Sequence, residues 1–373
     1  MRAIIVAGGT GGHIFPGIAV ARELLRRDRS IELLFMGTPK GLESKIVPRE
    51  GFKLEMISIG ALKGKSMFQK FKSLAAMPLS FLAARKRLRQ FRPDIVIGSG
   101  GYAAGPVLLT ASLMGTPTML IEPNALPGFT NKVLARFVDA AALSFTESLS
   151  FFHGRGVVTG NPVRSDFTTL AKKARGPKLN VLVFGGSQGA HAINAAMVGA
   201  APFHMENSSG QISIVHQTGQ ADFEAIKDGY ERAGFKDVDV LPFIHDMGRY
   251  FEQADILICR SGATTMAEVA SAGKAAIFVP FPFATDDHQR KNAEAFQNAG
   301  AGRLILQRDL TPERLARELN ELVRNPGEID RMEEASRKLG RPDAAERTVD
   351  LALDAMNRKR RNLRAAGKSQ VGS

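Results

Sequence analysis

The sequence predicts an α/β protein built from two parallel-sheet halves, and two observations carry that prediction. Short apolar runs alternate with helix-like stretches along most of the chain, the pattern of strands joined by crossover helices. Two glycine-rich turns of one kind, GGTGGH at residues 8–13 and GGSQGA at residues 185–190, each follow an apolar run and each lead into a helical pattern. Their recurrence half a chain apart points to a duplicated nucleotide-binding architecture.

The strands read as apolar runs at residues 3–7, 94–97, 118–121, 181–184, 212–215, 256–259 and 276–279. In such sheets ligands collect at the carboxyl ends of strands, where the glycine turns lie. Glycine permits a sharp turn and close approach of main-chain amides, and the following helix presents free N–H groups with a partial positive charge. Neither turn fits the dinucleotide fingerprint, and neither is a Walker A loop. A boundary falls at GNPVR, residues 160–164, followed by the polar segment 172–178. The halves are therefore expected at 1–163 and 164–344, with a basic, disordered tail at 361–373.

At 373 residues, 44% apolar and 23% charged, the chain suits two soluble domains with sizeable cores. Its single cysteine, Cys259, excludes an internal disulfide and any multi-cysteine metal site, and fits a reducing compartment. No apolar run reaches the roughly 18 residues of a spanning helix, so neither export nor insertion is expected. The net charge of +13 is local: nine Lys/Arg and no acid fall within residues 62–92, and six more follow residue 357. Without these fifteen the chain is near neutral.

His13 closes the first turn as either a general base or a helix cap, since a helix N-terminus favours the neutral imidazole that a base requires. A third turn, GSGGYA at residues 98–103, satisfies G-x-G-x-x-A with Glu122 further on, which opens the alternative of an NAD(P)-dependent dehydrogenase. Close packing of backbone explains those glycines as well. RSGATTMAE at residues 260–268 follows a strand; Thr265 and Glu268 have capping-box spacing, while Glu268 also suits ribose hydroxyls. Asp286, Asp287, His288 and Gln289 form a polar cluster suited to sugar hydroxyls and equally to an ordinary loop. Asp237 and Asp239 match a D-x-D metal signature but read as solvated surface. A basic nucleic-acid-binding protein is a further alternative for the charge, without an aromatic RNP motif, zinc pattern or helix-turn-helix signature to support it.

In residues 62–92, Met67, Phe71, Leu74, Met77, Phe81, Ala84, Leu88 and Phe91 form one helical stripe, with Phe68, Leu79 and Leu82 off it. A stripe of this kind suits a core; the adjoining cations suit an anionic membrane surface.

Taken together, GGTGGHIFPGIAVA, GSGGYAAGP, EPNALPG, GNPVR, GGSQGA, PFIHDM, RSGATTMAE and DDHQ, in this order, closely resemble the MurG family of bacterial N-acetylglucosaminyltransferases. The resemblance implies the GT-B fold: two Rossmann-like domains facing a central cleft, with a C-terminal helix at about 345–360 packing back on the first. It implies an inverting, metal-independent transfer of N-acetylglucosamine from UDP-GlcNAc to lipid I, giving lipid II for peptidoglycan, with no cofactor. His13 becomes the favoured base and Glu122 the second possibility. Arg164 and Ser187 would meet the diphosphate and the backbone of Ile244 the uracil. Ala263, Thr264, Thr265, Met266, Ala267 and Glu268 would meet phosphate and ribose, and Gln289 the sugar. Thr10, Gly11, Gly12 and Asn124 would complete the donor site, with Tyr102 nearby. Pro123 and His288 stand where some relatives carry glutamine. The implied location is peripheral, on the cytoplasmic side of the cell membrane, held at the anionic inner leaflet by residues 62–92. Other cell-wall synthesis proteins are implied partners and nucleic acid is not.

Overall fold

The first apolar run forms β1 (Arg2–Ala7), whose alternate residues serve two cores: Ala3, Ile5 and Ala7 on one face, Ile4 and Val6 on the other. The computed structural model describes residues 1–371 apart from residues 40, 58–76, 102, 171–173, 208–209 and 285–286, and apart from the side chains of residues 77, 205–207 and 363–371. The chain divides into a first unit, Met1–Arg164 with Pro342–Ser373, and a second, Ser165–Arg341.

In the first unit β1 is followed by α1 (Gly11–Arg27), β2 (Glu32–Gly37), α2 (Glu43–Arg49), β3 (Leu54–Met56), α3 (Met77–Phe91) and β4 (Ile95–Gly100). Then come α4 (Ala104–Leu113), β5 (Thr118–Glu122), α5 (Phe129–Leu134), β6 (Ala140–Leu143) and β7 (Gly156–Val158). The second unit holds α6 (Ser165–Thr168), β8 (Leu179–Phe184), α7 (His191–Asn207), β9 (Ile212–Gln217), α8 (Phe223–Arg232), β10 (Val238–Leu241) and α9 (Met247–Gln253). It continues through β11 (Ile256–Cys259), α10 (Ala263–Ala272), β12 (Ala275–Phe278), α11 (His288–Asn298), β13 (Gly302–Leu304), α12 (Pro312–Arg324) and α13 (Pro326–Leu339). The last helix, α14 (Ala344–Val371), belongs to the first unit.

Both sheets are parallel and doubly wound, in the orders β3-β2-β1-β4-β5-β6-β7 and β10-β9-β8-β11-β12-β13. Each reverses direction once, between β1 and β4 and between β8 and β11, which marks the ligand crevice of such sheets.

Two boundaries differ from expectation. Arg164 is the last residue of the first unit rather than the first of the second, and the chain returns to the first unit at Pro342. The helix α14 also passes residue 361, where a separate tail is expected to begin, and runs to Val371. Val349, Ala352, Ala355 and Met356 of α14 join the core beside α1. Its cations are partly committed, since Lys359 meets Asp139 at 2.8 Å and Arg360 pairs with Asp94. Arg27 of α1 meets Asp350 at 2.5 Å.

The stripe on α3 is core where it is described. Ala84 and Leu88 are buried with Ile4 and Val6, whereas Leu79, off the stripe, is 68% exposed and Leu82 is exposed beside it. Met67, Phe68, Phe71 and Leu74, with Lys63, Lys65, Lys70 and Lys72, lie outside the described residues.

Candidate functional site

The reversal in the first sheet brings two predicted turns together. Val6 pairs with Gly98 but Ala7 pairs with Gly100, so Ser99 is an extra residue in β4, a bulge at the strand end. That bulge serves His13, the third residue of α1. The His13 Nδ1–H donates to the Ser99 carbonyl at 3.0 Å, and the Ser99 hydroxyl donates to the His13 carbonyl at 2.6 Å. A carbonyl oxygen can only accept, so the neutral ring carries its proton on Nδ1 and keeps a lone pair on Nε2. Burial holds the imidazole below its ordinary 6.5 and outweighs the raising effect of the Ser99 bond. A capping role is not what this ring performs, because its nitrogen binds the neighbouring turn.

The glycines at residues 98–101 are explained by packing. A Cβ on Gly100 would stand 2.3 Å from His13 Nδ1, one on Gly101 2.3 Å from the Gly8 carbonyl oxygen, and one on Gly98 2.6 Å from Leu108. The turn is a backing plate for His13 and the first turn, which removes the ground for a dehydrogenase.

Glu122 ends β5 and is 1% exposed. Its Oε1 accepts from the Asn124 main-chain N–H at 2.9 Å and side-chain amide at 3.1 Å, and its Oε2 accepts from the Asn131 amide at 2.7 Å. Burial pushes its carboxyl up, against the lowering effect of these bonds and one from Gly128. With both oxygens engaged by amides, Glu122 shapes the loop that carries Asn124.

One residue absent from the sequence reading governs the first turn. Glu43, at the start of α2, is 0% exposed. Its Oε2 accepts from Gly9 N–H at 2.9 Å, and its Oε1 from Thr38 N–H at 2.7 Å and Thr38 hydroxyl at 2.8 Å. The signal was the neighbouring glycines: a Cβ on Gly8, Gly37 or Gly41 would fall within 2.8 Å of this side chain. Thr10 caps α1 by position only, with no side-chain hydrogen bond, and Gly11 and Gly12 begin the helix. Arg164 is 8% exposed, its guanidinium 4.6 Å over the Phe15 ring of α1.

In the second unit, the turns after β8 and β11 flank the second reversal. Ser187 is half-buried in the first of these. The turn is fastened by Gln217 at the end of β9, whose amide donates to the Gly186 carbonyl at 3.0 Å. A Cβ on Gly189 would overlap the Thr218 carbonyl oxygen, so turn and strand end touch through backbone. Beside Gln217, His216 is buried between Tyr230 and the Asn194 side chain, and burial pushes its imidazole down to about 3, so this support is neutral.

The capping-box expectation fails. The N-cap of α10 is Gly262, without a side-chain cap, and Thr265 is already the third helical residue. Ala263, Thr264, Met266 and Glu268 are buried, while Thr265 and Ala267 are half-buried. Ser261 ties this turn to α11: its hydroxyl donates to the Gln289 carbonyl at 2.8 Å, and Asn292 donates to the Ser261 carbonyl at 3.0 Å. The Gln289 side-chain oxygen accepts from Phe281 N–H at 3.0 Å. The Ile244 side chain is buried with Phe251 and Met266, which fixes its backbone between β10 and α9. Burial, with the nearby Glu268 charge, pushes the Cys259 thiol up and leaves it unsuited to nucleophilic work. Asp237 pairs with Lys178 at 2.7 Å and Asp239 is exposed on β10; among the described residues no three His, Cys, Asp or Glu gather as metal ligands. Tyr102 and Asp286 lie outside the described residues.

The chain matches the glycosyltransferase family 28 N-terminal domain over residues 3–143 and the C-terminal domain of that family over residues 180–348. A relative from Citrifermentans bemidjiense, a UDP-N-acetylglucosamine--N-acetylmuramyl-(pentapeptide) pyrophosphoryl-undecaprenol N-acetylglucosamine transferase, is 46% identical over 94% of this chain and 98% of its own. A transferase of the same description from Geotalea uraniireducens is 46% identical over 94% and 97%. A crystal structure of MurG from Acinetobacter baumannii superposes with a TM-score of 0.72 at 34% identity, covering 95% of this chain and 99% of that one.

Proposed function

The chain belongs to glycosyltransferase family 28 and, within it, to the MurG family, and we infer from that premise how its two units share the reaction. It is a GT-B enzyme of two Rossmann-like units that transfers N-acetylglucosamine from UDP-GlcNAc to the MurNAc 4-hydroxyl of lipid I, giving lipid II for peptidoglycan.

The second unit takes the donor. The start of α10 offers main-chain N–H groups and a partial positive charge without a side-chain cap to consume them, which suits a diphosphate. Ser187 joins there, Ile244 backbone meets the uracil, Ala263 through Glu268 meet phosphate and ribose, and Gln289 meets the sugar; the family resemblance assigns Arg164 of the first unit to the diphosphate as well. Thr10, Gly11, Gly12 and Asn124 address the reacting sugar, with Tyr102 beside them. The observation that carries the chemistry is the His13 tautomer: Nδ1 is bound by Ser99 and Nε2 is left basic. The acceptor hydroxyl loses its proton to Nε2 as its oxygen bonds to the anomeric carbon; the bond to the diphosphate breaks on the opposite face and UDP departs. A single displacement inverts the configuration. Glu122 positions Asn124 in this scheme rather than taking the proton.

Labelled UDP-GlcNAc and a short-chain lipid I analogue, assayed in EDTA, test the assignment. Transfer at the same rate as with Mg²⁺ is expected. Transfer that requires Mg²⁺ would return Asp237 and Asp239 to the site, and none under either condition would sink the reading.

The location is peripheral, on the cytoplasmic face of the membrane. No helix among the described residues is long and apolar enough to cross a bilayer. Support comes from α3, where exposed Leu79 and Leu82 sit with exposed Arg85, Lys86 and Arg89, and from exposed Phe129 and Val133 with Lys132 on α5, which shares its core. Reversing the charge of Arg85, Lys86 and Arg89 should weaken binding to anionic vesicles about a hundredfold or more at low salt, each of the three cations contributing about 1 kcal/mol. Unchanged sedimentation would exclude α3 as the docking element.

A further inference from the structure

We propose that Glu43 is a positioning residue for the transfer step, holding the first glycine turn, and with it the start of the helix that carries His13, in one conformation. This rests on the assignment of His13 as base.

Gly9 is the most permissive point between β1 and α1. Its φ is +93°, and a Cβ there would meet nothing within 4 Å, so surrounding side chains do not fix it. Its two main-chain polar groups do. The Gly9 N–H donates to Glu43 Oε2 at 2.9 Å, and the Gly9 carbonyl accepts from Leu42 N–H at 3.3 Å. Leu42 and Glu43, consecutive residues at the start of α2, thus grip the two peptide units that flank the Gly9 Cα. The other carboxylate oxygen is fastened to Thr38 at the end of β2, so the grip is referenced to the neighbouring strand.

From Gly9 the constraint passes on through short contacts. Gly8 lies against Gly101, and Gly100 lies against the His13 ring, with no room for a Cβ at Gly100 or Gly101. Gly8, with Gly37 and Gly41, also clears the space that the Glu43 side chain fills. Four glycines around one buried carboxylate, Gly8, Gly9, Gly37 and Gly41, are a specific arrangement, and transfer depends on a base held to within a fraction of an ångström.

The carboxylate cannot be exchanged for its isostere without loss. Gly9 N–H and Thr38 N–H approach different oxygens, so a glutamine in either flip turns its NH₂ toward one of these donors. Glu43→Gln should therefore loosen the turn while filling the same volume.

The test is steady-state transfer with the short-chain acceptor, counted per UDP-GlcNAc-binding site, on wild type and Glu43→Gln, with thermal melts alongside. We expect kcat to fall about tenfold with the UDP-GlcNAc KM within about twofold of wild type, the signature of a defect confined to the chemical step. Glu43→Asp, which keeps both oxygens but withdraws them by one methylene, should show the same split to a smaller degree and covers the case of a Glu43→Gln protein that does not fold. A normal kcat per site in a folded variant would overturn the proposal, as would a loss lying wholly in the donor KM. Absence of transfer by wild type would instead overturn the transferase reading itself, and a His13→Ala control with normal kcat would overturn the base assignment on which the proposal rests.

Discussion

The two glycine-rich turns that announce the fold are fastened by groups of opposite character. In the first, a buried carboxylate takes the Gly9 N–H, and Leu42 takes the Gly9 carbonyl. In the second, a neutral amide, Gln217, donates to the Gly186 carbonyl, and the buried His216 behind it is held uncharged. Negative charge beneath a turn opposes an incoming phosphate, whereas a neutral support leaves the positive end of the following helix at full effect. The same motif therefore serves two tasks. Under the proposed function the first turn is a rigid mount for a base, and the second is a seat for an anionic donor.

The largest expected effect falls on the first turn. His13→Ala should lower kcat by roughly 10² or more, as expected for loss of a positioned general base. In the wild-type enzyme, activity should disappear as pH falls through a pKa below 6.5, because only the neutral imidazole accepts the proton and burial lowers its value. A midpoint above 6.5, or near-normal turnover in the mutant, would move the base to another residue and dissolve the contrast. A smaller effect sharpens the other side. Gln217→Ala should raise the donor KM by about fivefold, the cost of one neutral hydrogen bond being about 1 kcal/mol, with kcat nearly unchanged. A fall in kcat of the same size would mean that the second turn also shapes the transition state.

Much of this division was legible in the sequence, and what was not has a physical reason. The strands β1, β4, β5, β8, β11 and β12 announce themselves because a strand buried on both faces is a largely apolar run, and β9 because buried Ile212 and Ile214 alternate with half-buried Ser213 and Val215. The edge strands β3, β7 and β13 have three residues each and too little pattern to register. Turns could be located because glycines mark them, but their supports could not. Glu43 and Gln217 lie 34 and 31 residues from the glycines they hold, and polar residues bear no period. The third turn matched a dinucleotide fingerprint because close backbone packing and close approach of a ligand make the same demand on a side chain, namely that there be none. Only the contact with His13 and Gly8 distinguishes them. Thr265 and Glu268 had the spacing of a capping box, yet α10 begins at Ala263, since the extended conformation of Gly262 ends the turn there.

The division of labour is tested most directly by titrating UDP-GlcNAc calorimetrically into the wild-type, His13→Ala and Glu268→Ala proteins side by side. The account predicts a Kd for His13→Ala within about threefold of wild type and one for Glu268→Ala raised about tenfold or more, the loss of a charged hydrogen bond being about 1.5–3 kcal/mol. A His13→Ala protein that loses donor affinity as steeply as Glu268→Ala, or a Glu268→Ala protein that binds as wild type does, would contradict it.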